Sequence, residues 1–491
     1  MTTLASPPAP PAPARSTRTT VLTVLAAIAA SCLAAFSGAM GEDSKVMLVL
    51  PLAVATGVVL AVIALTRFRF YVLAMLVIRS SLDLAKLSAK AAGNISSTAA
   101  TGRAVDPSSI LAVLFLLAAV LWLAAQYRKQ GSLPGSPLRR ALVCFGCAGL
   151  LSIAGSSRPL ASTTEALRVC AVVAMFVVLE QLALRRQDMR TVLTACYVAI
   201  AFPLLFTVFG FLSGHPRSEA KGSFTRITGP FNQSNSFGRY LMFMIIFGVA
   251  IYPRLRGWQR QAMRVVLGLS TIFLFLTYTR TALFGAVIGV VVVAIAQKRN
   301  RIIGGLVVLA MAALLVVPNL ATRVGEVAQT SQANGVTISN GHSGNSLIWR
   351  FGYWSEVIAL ANHNPVTGIG LNMTQYNTDD AKQPHNDYLR AYVETGVLGL
   401  IAYLSMLIAM VGLGRRAVRL SPRGSFDHAV GAGFLGCAVA FVAVSAAANV
   451  VSNVVGLWYL CAFGAAASTV VRRQRALAQD PLAMVDWERV R

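Results

Sequence analysis

The stretch RVVLGLSTIFLFLTYTRTALFGAVIGVVVVAIAQKRNR, residues 264–301, holds two apolar runs on either side of a short polar break at Tyr278–Thr281. A helix of roughly 17 to 25 apolar residues crosses about 30 Å of hydrocarbon. We therefore expect one membrane span over 264–279 and a second over 281–297, with Arg280 at the outer turn between them.

Similar runs recur from Thr20 to Val471, and the sequence is 56% hydrophobic and only 12% charged. That balance is not typical of a soluble domain. The sequence therefore predicts an all-α, polytopic membrane protein of about 12–14 transmembrane helices with a large extracytoplasmic loop. The expected spans are 20–40, 46–66, 68–82, 108–126, 140–156, 167–184, 190–213, 233–252, 264–279, 281–297, 302–318, 387–413, 429–447 and 450–471.

The distribution of Lys and Arg predicts the orientation, because short basic loops stay on the cytoplasmic side. With the N-terminus inside, more than half of the 43 Lys and Arg residues fall on the inner side. A single helix through 264–297 would place Lys298, Arg299 and Arg301 outside, so the alternation favours two spans. The predicted organisation is a disordered cytoplasmic tail (1–19), transmembrane helices 1–11 (20–318), an extracytoplasmic loop (319–386), transmembrane helices 12–14 (387–471) and a cytoplasmic tail (472–491).

The net charge of +25 is spread over these short loops and forms no single patch, so it does not indicate nucleic-acid binding. All seven cysteines fall in apolar runs, where thiols usually pack as small apolar groups. Cys144 and Cys147 form a CxxC motif, but no second pair or neighbouring histidine accompanies them. We therefore expect them to be packing residues without a metal or redox role.

Ionisable groups are costly near the bilayer centre, so those that cluster at span ends on one side are candidates for function. Here they cluster on the outer side. Arg226, Arg280 and Arg350 come from three separate outer segments, and guanidinium groups bind phosphate oxygens in pairs. We expect the three to converge on phosphate groups, and contact with lipid headgroups is the alternative.

His385 stands where the long polar loop meets the next span. A neutral imidazole is the usual group that accepts a proton from an attacking hydroxyl, and a structural histidine is the alternative. Asn386 or Asp387 is expected to cap the following helix. Arg390 and Glu394, four residues apart on one helical face, are expected to form an ion pair.

Several neighbouring residues have structural interpretations of their own. Gly368 and Gly370 are expected to form a turn, because a lone GxG is weak evidence for a ligand. Gly396 and Gly399 favour close helix packing. Trp354 is expected to contact substrate or to act as an interfacial anchor.

Metal binding has little support in the pattern. His342, His363, Asp379 and Asp380 accompany His385 in the outer segment, but they lack the tight spacing of metal ligands. We therefore expect no metal site.

Taken in order, these elements resemble the core of the O-antigen ligase and polymerase superfamily of bacterial envelope glycosyltransferases. The resemblance extends from about Arg226 to Gly399 and rests on the order of the motifs. The matching elements are Arg226 with the run through Asn232 and Asn235, Thr-Arg-Thr-Ala around Arg280, Arg350 with Trp354, Gly368-Ile-Gly370, His385-Asn386 and Glu394-Thr-Gly396. Fourteen expected spans, where the ligases have twelve, and the spacing of Asn232-Gln-Ser-Asn235 are departures that bear on the subfamily.

The resemblance implies a GT-C-like, inverting, metal-independent and cofactor-free glycosyltransferase in the bacterial cytoplasmic membrane, with its active site facing the periplasm or cell exterior. The implied donor is a glycan on undecaprenyl diphosphate, and the implied acceptor is a glycan or glycolipid among the membrane lipids. By the same resemblance Arg226 and Arg280 stabilise the diphosphate leaving group, and His385 acts as general base. The implied substrate-binding and orienting residues are Arg350, Asn232, Asn235, Asn386, Glu394 and Trp354.

Three questions stay open at the level of sequence. A lipid A core acceptor would make the protein a ligase, whereas a growing lipid-linked chain would make it a polymerase in lipopolysaccharide or exopolysaccharide biosynthesis. The many spans also allow a transporter or flippase of lipid-linked glycan, although no internal repeat is evident. The long loop also allows a scaffold for envelope assembly.

Overall fold

The computed structural model of the chain describes residues 60, 62–81, 84, 107–221, 224–299, 301, 305, 346–362, 364–378 and 382–479. Residues 107–111, 221, 224 and 346–351 are described by their backbone alone. The expected span at 20–40, most of those at 46–66 and 302–318, and both chain ends lie outside the described residues.

The described part of the chain is built from thirteen α-helices and a single short hairpin. The helices are α1 Phe68–Arg79, α2 Pro107–Gln130, α3 Pro137–Leu151, α4 Pro159–Leu182, α5 Arg186–Ala199, α6 Ala201–Leu212, α7 Ser234–Ile251, α8 Gly257–Leu276, α9 Arg280–Ala296, α10 Ser346–Ala361, α11 Asp387–Leu420, α12 Phe426–Ser445 and α13 Val454–Gln479. The hairpin consists of β1 Ser218–Lys221 and β2 Phe224–Ile227.

Eight segments of the described chain are long and apolar enough to cross a membrane. They are α2, α3, α4, α5 with α6, α7, α11, α12 and α13, and α9 is a shorter apolar helix. The chain is therefore an all-α polytopic membrane protein, as the sequence predicts. The polar break after Leu276 does separate α8 from α9, so two helices form where two were expected.

The centre of the described bundle is formed by α7, α12 and α13, whose aromatic side chains interlock. Phe247 of α7 stacks on Phe463 of α13 with ring centroids 3.9 Å apart. Tyr240 meets Tyr459 edge to face at 5.1 Å. Because lipid tails are as apolar as these side chains, close packing rather than exclusion of water holds such helices together.

Two glycines bring α9 against α12 at van der Waals distance. A Cβ atom at Gly289 would lie 3.0 Å from the carbonyl oxygen of Gly436, and one at Gly436 would lie 2.6 Å from that of Gly289. A larger residue at either position would push the helices apart. The small residues in these apolar runs thus set the distance between the two backbones.

The span expected at 190–213 is divided into α5 and α6 by a proline. Pro203 has no N–H to donate to the carbonyl of Ala199, four residues earlier, so this carbonyl needs another partner. The hydroxyl of Ser80 at the end of α1 donates to it at 2.9 Å. A hydrogen bond from a different helix therefore compensates for the break.

The outer segment between α6 and α7 contains the hairpin, which the hydrophobicity pattern does not predict. Its strands are antiparallel and place Glu219 directly opposite Arg226. A pair of opposite charges at such a position stabilises a two-stranded ribbon. The hairpin thereby fixes where Arg226 enters the bundle.

The described part of the expected extracytoplasmic loop, 319–386, contains regular secondary structure. It includes α10 and a short 3-10 helix at Thr374–Tyr376. At the other end of the chain, α13 continues to Gln479, eight residues beyond the predicted end of the last span. The predicted domain boundaries themselves stay predictions.

Candidate active site

A deep polar cavity of about 1470 Å³ opens at the end of the bundle where α4, α7, α11 and α13 begin. Its cationic lining groups are Arg79, Arg168, Arg239 and Lys382, with His385 beside them. The other polar lining residues are Asn232, Gln233, Asn235, Ser236, Gln375, Gln383, Asn449, Ser452 and Asn453. No Asp or Glu is among the described residues that line it. Such a surface attracts anions, because several cationic side chains face a common space.

Arg239 lies on α7 and is only 6% exposed. Its Nε donates to the carbonyl oxygen of Asn235 at 3.0 Å, and an Nη donates to the carbonyl oxygen of Asn449. These two bonds fix the guanidinium at the cavity wall. Sequence analysis missed this residue, although a charged side chain six residues into an otherwise apolar span is itself a signal.

Arg79 and Arg168 approach the cavity from two other helices. The guanidinium of Arg79, at the end of α1, stands over the ring of Trp458 at 5.8 Å, a cation–π geometry. Arg168 on α4 forms an ion pair with Glu165 at 3.2 Å and is 31% exposed. Neither arginine belongs to the outer set that the sequence predicted, because each lies within or at the end of an apolar run.

His385, which the sequence analysis singled out, lies in the cavity wall just before α11. Its backbone adopts a φ of 53°, an uncommon conformation for a residue other than glycine. The neighbours hold it there. Trp354 of α10 donates its indole N–H to the carbonyl of Pro384 at 2.6 Å, and Asn386 caps α11 by accepting from the amides of Tyr388 and Leu389.

The turn between α12 and α13 packs against the His385 segment. One carboxylate oxygen of Asp387 accepts from the amides of Val450 and Val451 at 2.7 and 3.2 Å. Asn449, the residue before them, has its side-chain nitrogen 3.5 Å from Nδ1 of His385. The histidine therefore rests against an element more than sixty residues later in the chain, which spacing alone does not reveal.

Glu394 lies behind the cavity wall and is fully buried. Its carboxylate accepts from Nε of Arg390 at 2.8 Å, from the amide of Asn372 at 2.7 Å and from the hydroxyl of Thr374 at 2.9 Å. The ion pair expected between Arg390 and Glu394 is confirmed. Arg390 also forms an ion pair with Glu165 of α4 at 3.3 Å. Glu394 therefore joins α11 to the preceding loop, and Arg390 joins α11 to α4.

Gly396 interrupts α11 with a φ of 68°, which admits the loop before the helix. A Cβ atom at this position would lie 2.1 Å from the carbonyl oxygen of Val366. The amide of Val397 donates to the carbonyl of Pro365 at 2.9 Å. Gly368 also has positive φ and lies against the backbone of Glu394. The turn expected at Gly368 is therefore confirmed, whereas Gly396 packs against the backbone of a loop and not, as predicted, against another helix.

Arg226 lies next to the cavity without lining it. Its guanidinium donates to the carbonyl of Thr277 at 2.9 Å, to Oδ1 of Asn235 at 2.7 Å and to the hydroxyl of Thr279 at 3.0 Å. An ion pair with Glu219 at 3.5 Å accounts for its charge. Arg226 thus reaches the cavity through Asn235, which does line it.

Some of the remaining predicted site residues line the basic cavity, and others do not. Asn232 and Asn235 line the cavity with His385, and their contacts with substrate stay predictions. Arg280 begins α9, directly after the Thr279 that contacts Arg226, but it does not line the cavity. Arg350 lies in the part of α10 described by its backbone alone. The structure therefore brings two of the three predicted arginines near each other and leaves the side chain of the third undescribed.

A second, narrow cavity, lined almost entirely by apolar side chains, lies between α3, α4, α11, α12 and α13. It shares Arg168 and Val454 with the basic cavity, so the two spaces adjoin. Leu142, Phe176 and Met410 are among its lining residues. A basic cavity next to an apolar one suits an amphiphile with an anionic head and a hydrocarbon tail.

Among the described residues, no three His, Cys, Asp or Glu side chains lie close enough together to hold a metal ion. The residues considered as alternative ligands, His342, His363, Asp379 and Asp380, lie outside the described part of the chain.

Comparison with known proteins agrees with the motif order. No curated protein sequence matches the chain. Residues 265–404, from α8 into α11, match the family model Wzy_C, O-antigen ligase. Six of the nine predicted site residues lie in that segment: Arg280, Arg350, Trp354, His385, Asn386 and Glu394. Within residues 265–404 the chain is therefore similar to the O-antigen ligase family, in agreement with the motif order and the polytopic helical fold.

Proposed function

We propose that the protein is an inverting glycosyltransferase that moves a glycan from undecaprenyl diphosphate to a hydroxyl group of a glycan or glycolipid acceptor. The reaction takes place at the outer face of the bacterial cytoplasmic membrane. The match of residues 265–404 to the O-antigen ligase family model supports glycan transfer of the ligase or polymerase type. Donor, stereochemistry and sidedness are the parts that we add.

The observation that carries this proposal is the basic cavity with His385 in its wall. Four cationic side chains suit the two phosphates of a diphosphate, and the adjoining apolar cavity suits a donor that carries a hydrocarbon group beside its phosphates. A soluble nucleotide-sugar donor would have no use for the apolar space. The pair of cavities thus supports a lipid-linked donor.

In the proposed reaction the acceptor oxygen attacks the anomeric carbon from the side opposite the diphosphate. A new carbon–oxygen bond forms as the bond to the diphosphate breaks, and the anomeric centre inverts. The diphosphate leaves with both electrons of the broken bond, so negative charge develops on its oxygens. Arg79, Arg168, Arg239 and Lys382 stabilise that charge, a task for which many transferases use a divalent cation.

His385 accepts the proton that the acceptor hydroxyl loses as it attacks. Its place on the wall of the cavity, held by Trp354, Asn386 and the turn that contains Asn449, suits a group whose direction matters. In this scheme Arg226 is a positioning residue that orients Asn235. Glu394 positions the loop and helix that carry His385 through its bonds to Asn372 and Arg390.

Replacement of the histidine tests the proposal directly. Purified protein is reconstituted with undecaprenyl-diphosphate-linked glycan taken from the membranes of its own host, and release of undecaprenyl diphosphate is measured. The variant His385→Ala is expected to turn over about 100 to 10,000 times more slowly, the usual contribution of a general base. The matched control is His215→Ala, since His215 is exposed and lies outside both cavities.

The outcomes separate the proposed functions. A loss confined to His385→Ala supports the transferase, whereas unchanged turnover in that variant would contradict the assigned base. A flippase would move a fluorescent lipid-linked glycan across vesicles without cleaving the diphosphate bond. Translocation without release would therefore refute glycan transfer.

A further inference from the structure

A second concave surface lies on the outside of the bundle, between α3 and α11, and the proposed transfer reaction does not use it. It encloses about 1640 Å³ and is lined mainly by apolar side chains, among them Leu151, Ile401 and Ile408. Ile408 is 73% exposed and Leu151 is 57% exposed. We refer to this surface as the α3–α11 groove.

The charged groups of the groove are confined to one end. Arg140 near the start of α3 and Arg416 near the end of α11 both line it, and both are exposed. Neither has a hydrogen bond or ion pair with any described residue, and no carboxylate is among the described lining groups. This end is opposite His385, since α11 begins beside His385 and ends beyond Arg416.

The dimensions of the groove suit a lipid molecule. From Arg140 to Leu151 the helix rises about 17 Å, at about 1.5 Å per residue. Half of the hydrocarbon thickness of a bilayer is about 15 Å. Acyl chains that lie along the groove would therefore bring a headgroup to the level of the two arginines.

We propose that the α3–α11 groove is a binding site for an anionic phospholipid, with the phosphate between Arg140 and Arg416 and the acyl chains against α3 and α11. Anionic lipid fits better than a second copy of the chain. Two copies of this face, related by a twofold axis, would set arginines against arginines with no lining carboxylate to separate them. By the basic-loop alternation, this headgroup lies in the cytoplasmic leaflet, where anionic lipids attract basic residues.

The two cysteines of the CxxC motif lie in the α3–α11 groove. Cys144 and Cys147 are free, exposed thiols on α3, and both line the groove. They lie between Arg140 and Leu151, where acyl chains would cover them. Their reactivity therefore reports whether the groove is occupied.

The experiment measures lipid binding to the purified full-length protein by native mass spectrometry. Phosphatidylglycerol and phosphatidylcholine with the same acyl chains are the two probes. We expect phosphatidylglycerol to bind more tightly, and each of Arg140→Gln and Arg416→Gln to weaken it about fivefold. That factor corresponds to about 1 kcal/mol for each basic residue near anionic lipid. The matched control is the double variant Arg128→Gln/Arg415→Gln, which removes the same charge at the same end outside the groove.

Thiol modification gives an independent measurement. Phosphatidylglycerol is expected to slow the reaction of Cys144 and Cys147 with a maleimide in the natural protein, but not in Arg140→Gln/Arg416→Gln. Equal loss of binding in the groove and control double variants would overturn the proposal, because a general charge effect would then explain it. Equal binding of both lipids, or protection of the thiols only when the protein dimerises, would also overturn it.

Discussion

The side chains that surround a guanidinium determine what else it can bind. Arg226 has a carboxylate partner in Glu219 and donates to three other groups, so protein atoms meet much of its capacity of five N–H donors. Arg239 donates only to two carbonyl oxygens, and no carboxylate of the described chain lies within ion-pair distance of it. Its charge is available to the cavity. For this reason we assign diphosphate contact to Arg239 and a positioning role to Arg226.

Arg239 is therefore expected to govern donor affinity. The variant Arg239→Gln should weaken binding of undecaprenyl diphosphate about 10- to 100-fold, since hydrogen bonds to charged groups contribute about 1.5–3 kcal/mol. Arg239→Lys keeps the charge without the planar fork and should lose less. Binding of the diphosphate to purified protein, followed by native mass spectrometry, checks both variants. The prediction fails if Arg128→Gln, at the opposite end of the bundle, weakens binding equally.

At the scale of elements, the break in α11 joins the loop to the membrane bundle. A continuous helix would keep its backbone groups within itself, but the break at Gly396 frees the amide of Val397 to pair with the carbonyl of Pro365. Glu394, two residues earlier, ties Asn372 and Thr374 of the same loop to α11. The loop that carries His385 is thus attached at two neighbouring points, which holds the histidine against the cavity.

Alanine substitutions in α11 test this account. Gly396→Ala should lower the melting temperature and the transfer rate, because positive φ alone costs an alanine about 1–3 kcal/mol and its Cβ would meet the carbonyl of Val366. Gly412→Ala is the control in the same helix, with no atom within 4 Å of the added Cβ. It should leave stability unchanged or raise it slightly. Thermal unfolding of both variants in detergent distinguishes the two sites, and equal melting temperatures would contradict the account.

On the scale of the whole molecule, the two ends of the bundle carry different groups of polar residues. The basic cavity and His385 lie where α4, α7, α11 and α13 begin, whereas Asp427, Arg473 and Arg186 meet at the other end. In the second cluster, Arg186 and Arg473 both form ion pairs with Asp427, and none of these residues lines the basic cavity. A catalytic end and a structural end are the arrangement expected when the substrates are offered from one side of the membrane.

Labelling of introduced cysteines tests this orientation. In a variant without native cysteines, Gln233→Cys at the basic cavity should react with a membrane-impermeant maleimide added to intact cells. Arg415→Cys, at the opposite end, should react only after the cells are opened. Both positions are exposed, so access and not burial decides the result. Labelling of Arg415→Cys in intact cells would reverse the orientation and move the active site to the cytoplasm.

Much of the helical framework could be predicted, because apolar runs of membrane length leave the backbone no partner except itself. The hairpin, the helix α10 and the break at Gly396 could not, because polar segments carry no such constraint. In the site, His385 and Asn386 were predicted from their position where a polar loop meets a span, and Asn235 from the family resemblance. Arg79, Arg168 and Arg239 were missed, because a single arginine in or beside an apolar run has the same local pattern whether it faces lipid, protein or a cavity.

The sequence by itself determined that this chain is a polytopic helical membrane protein and that His385 begins a helix after a long polar segment. Those properties depend on local composition and on neighbours within one or two turns. Only the tertiary structure decided which cations line the same cavity as His385, because Arg79, Arg168 and Arg239 come from three helices far apart in the chain. Their approach depends on how α1, α4 and α7 pack against α13, and packing is a property of several helices together.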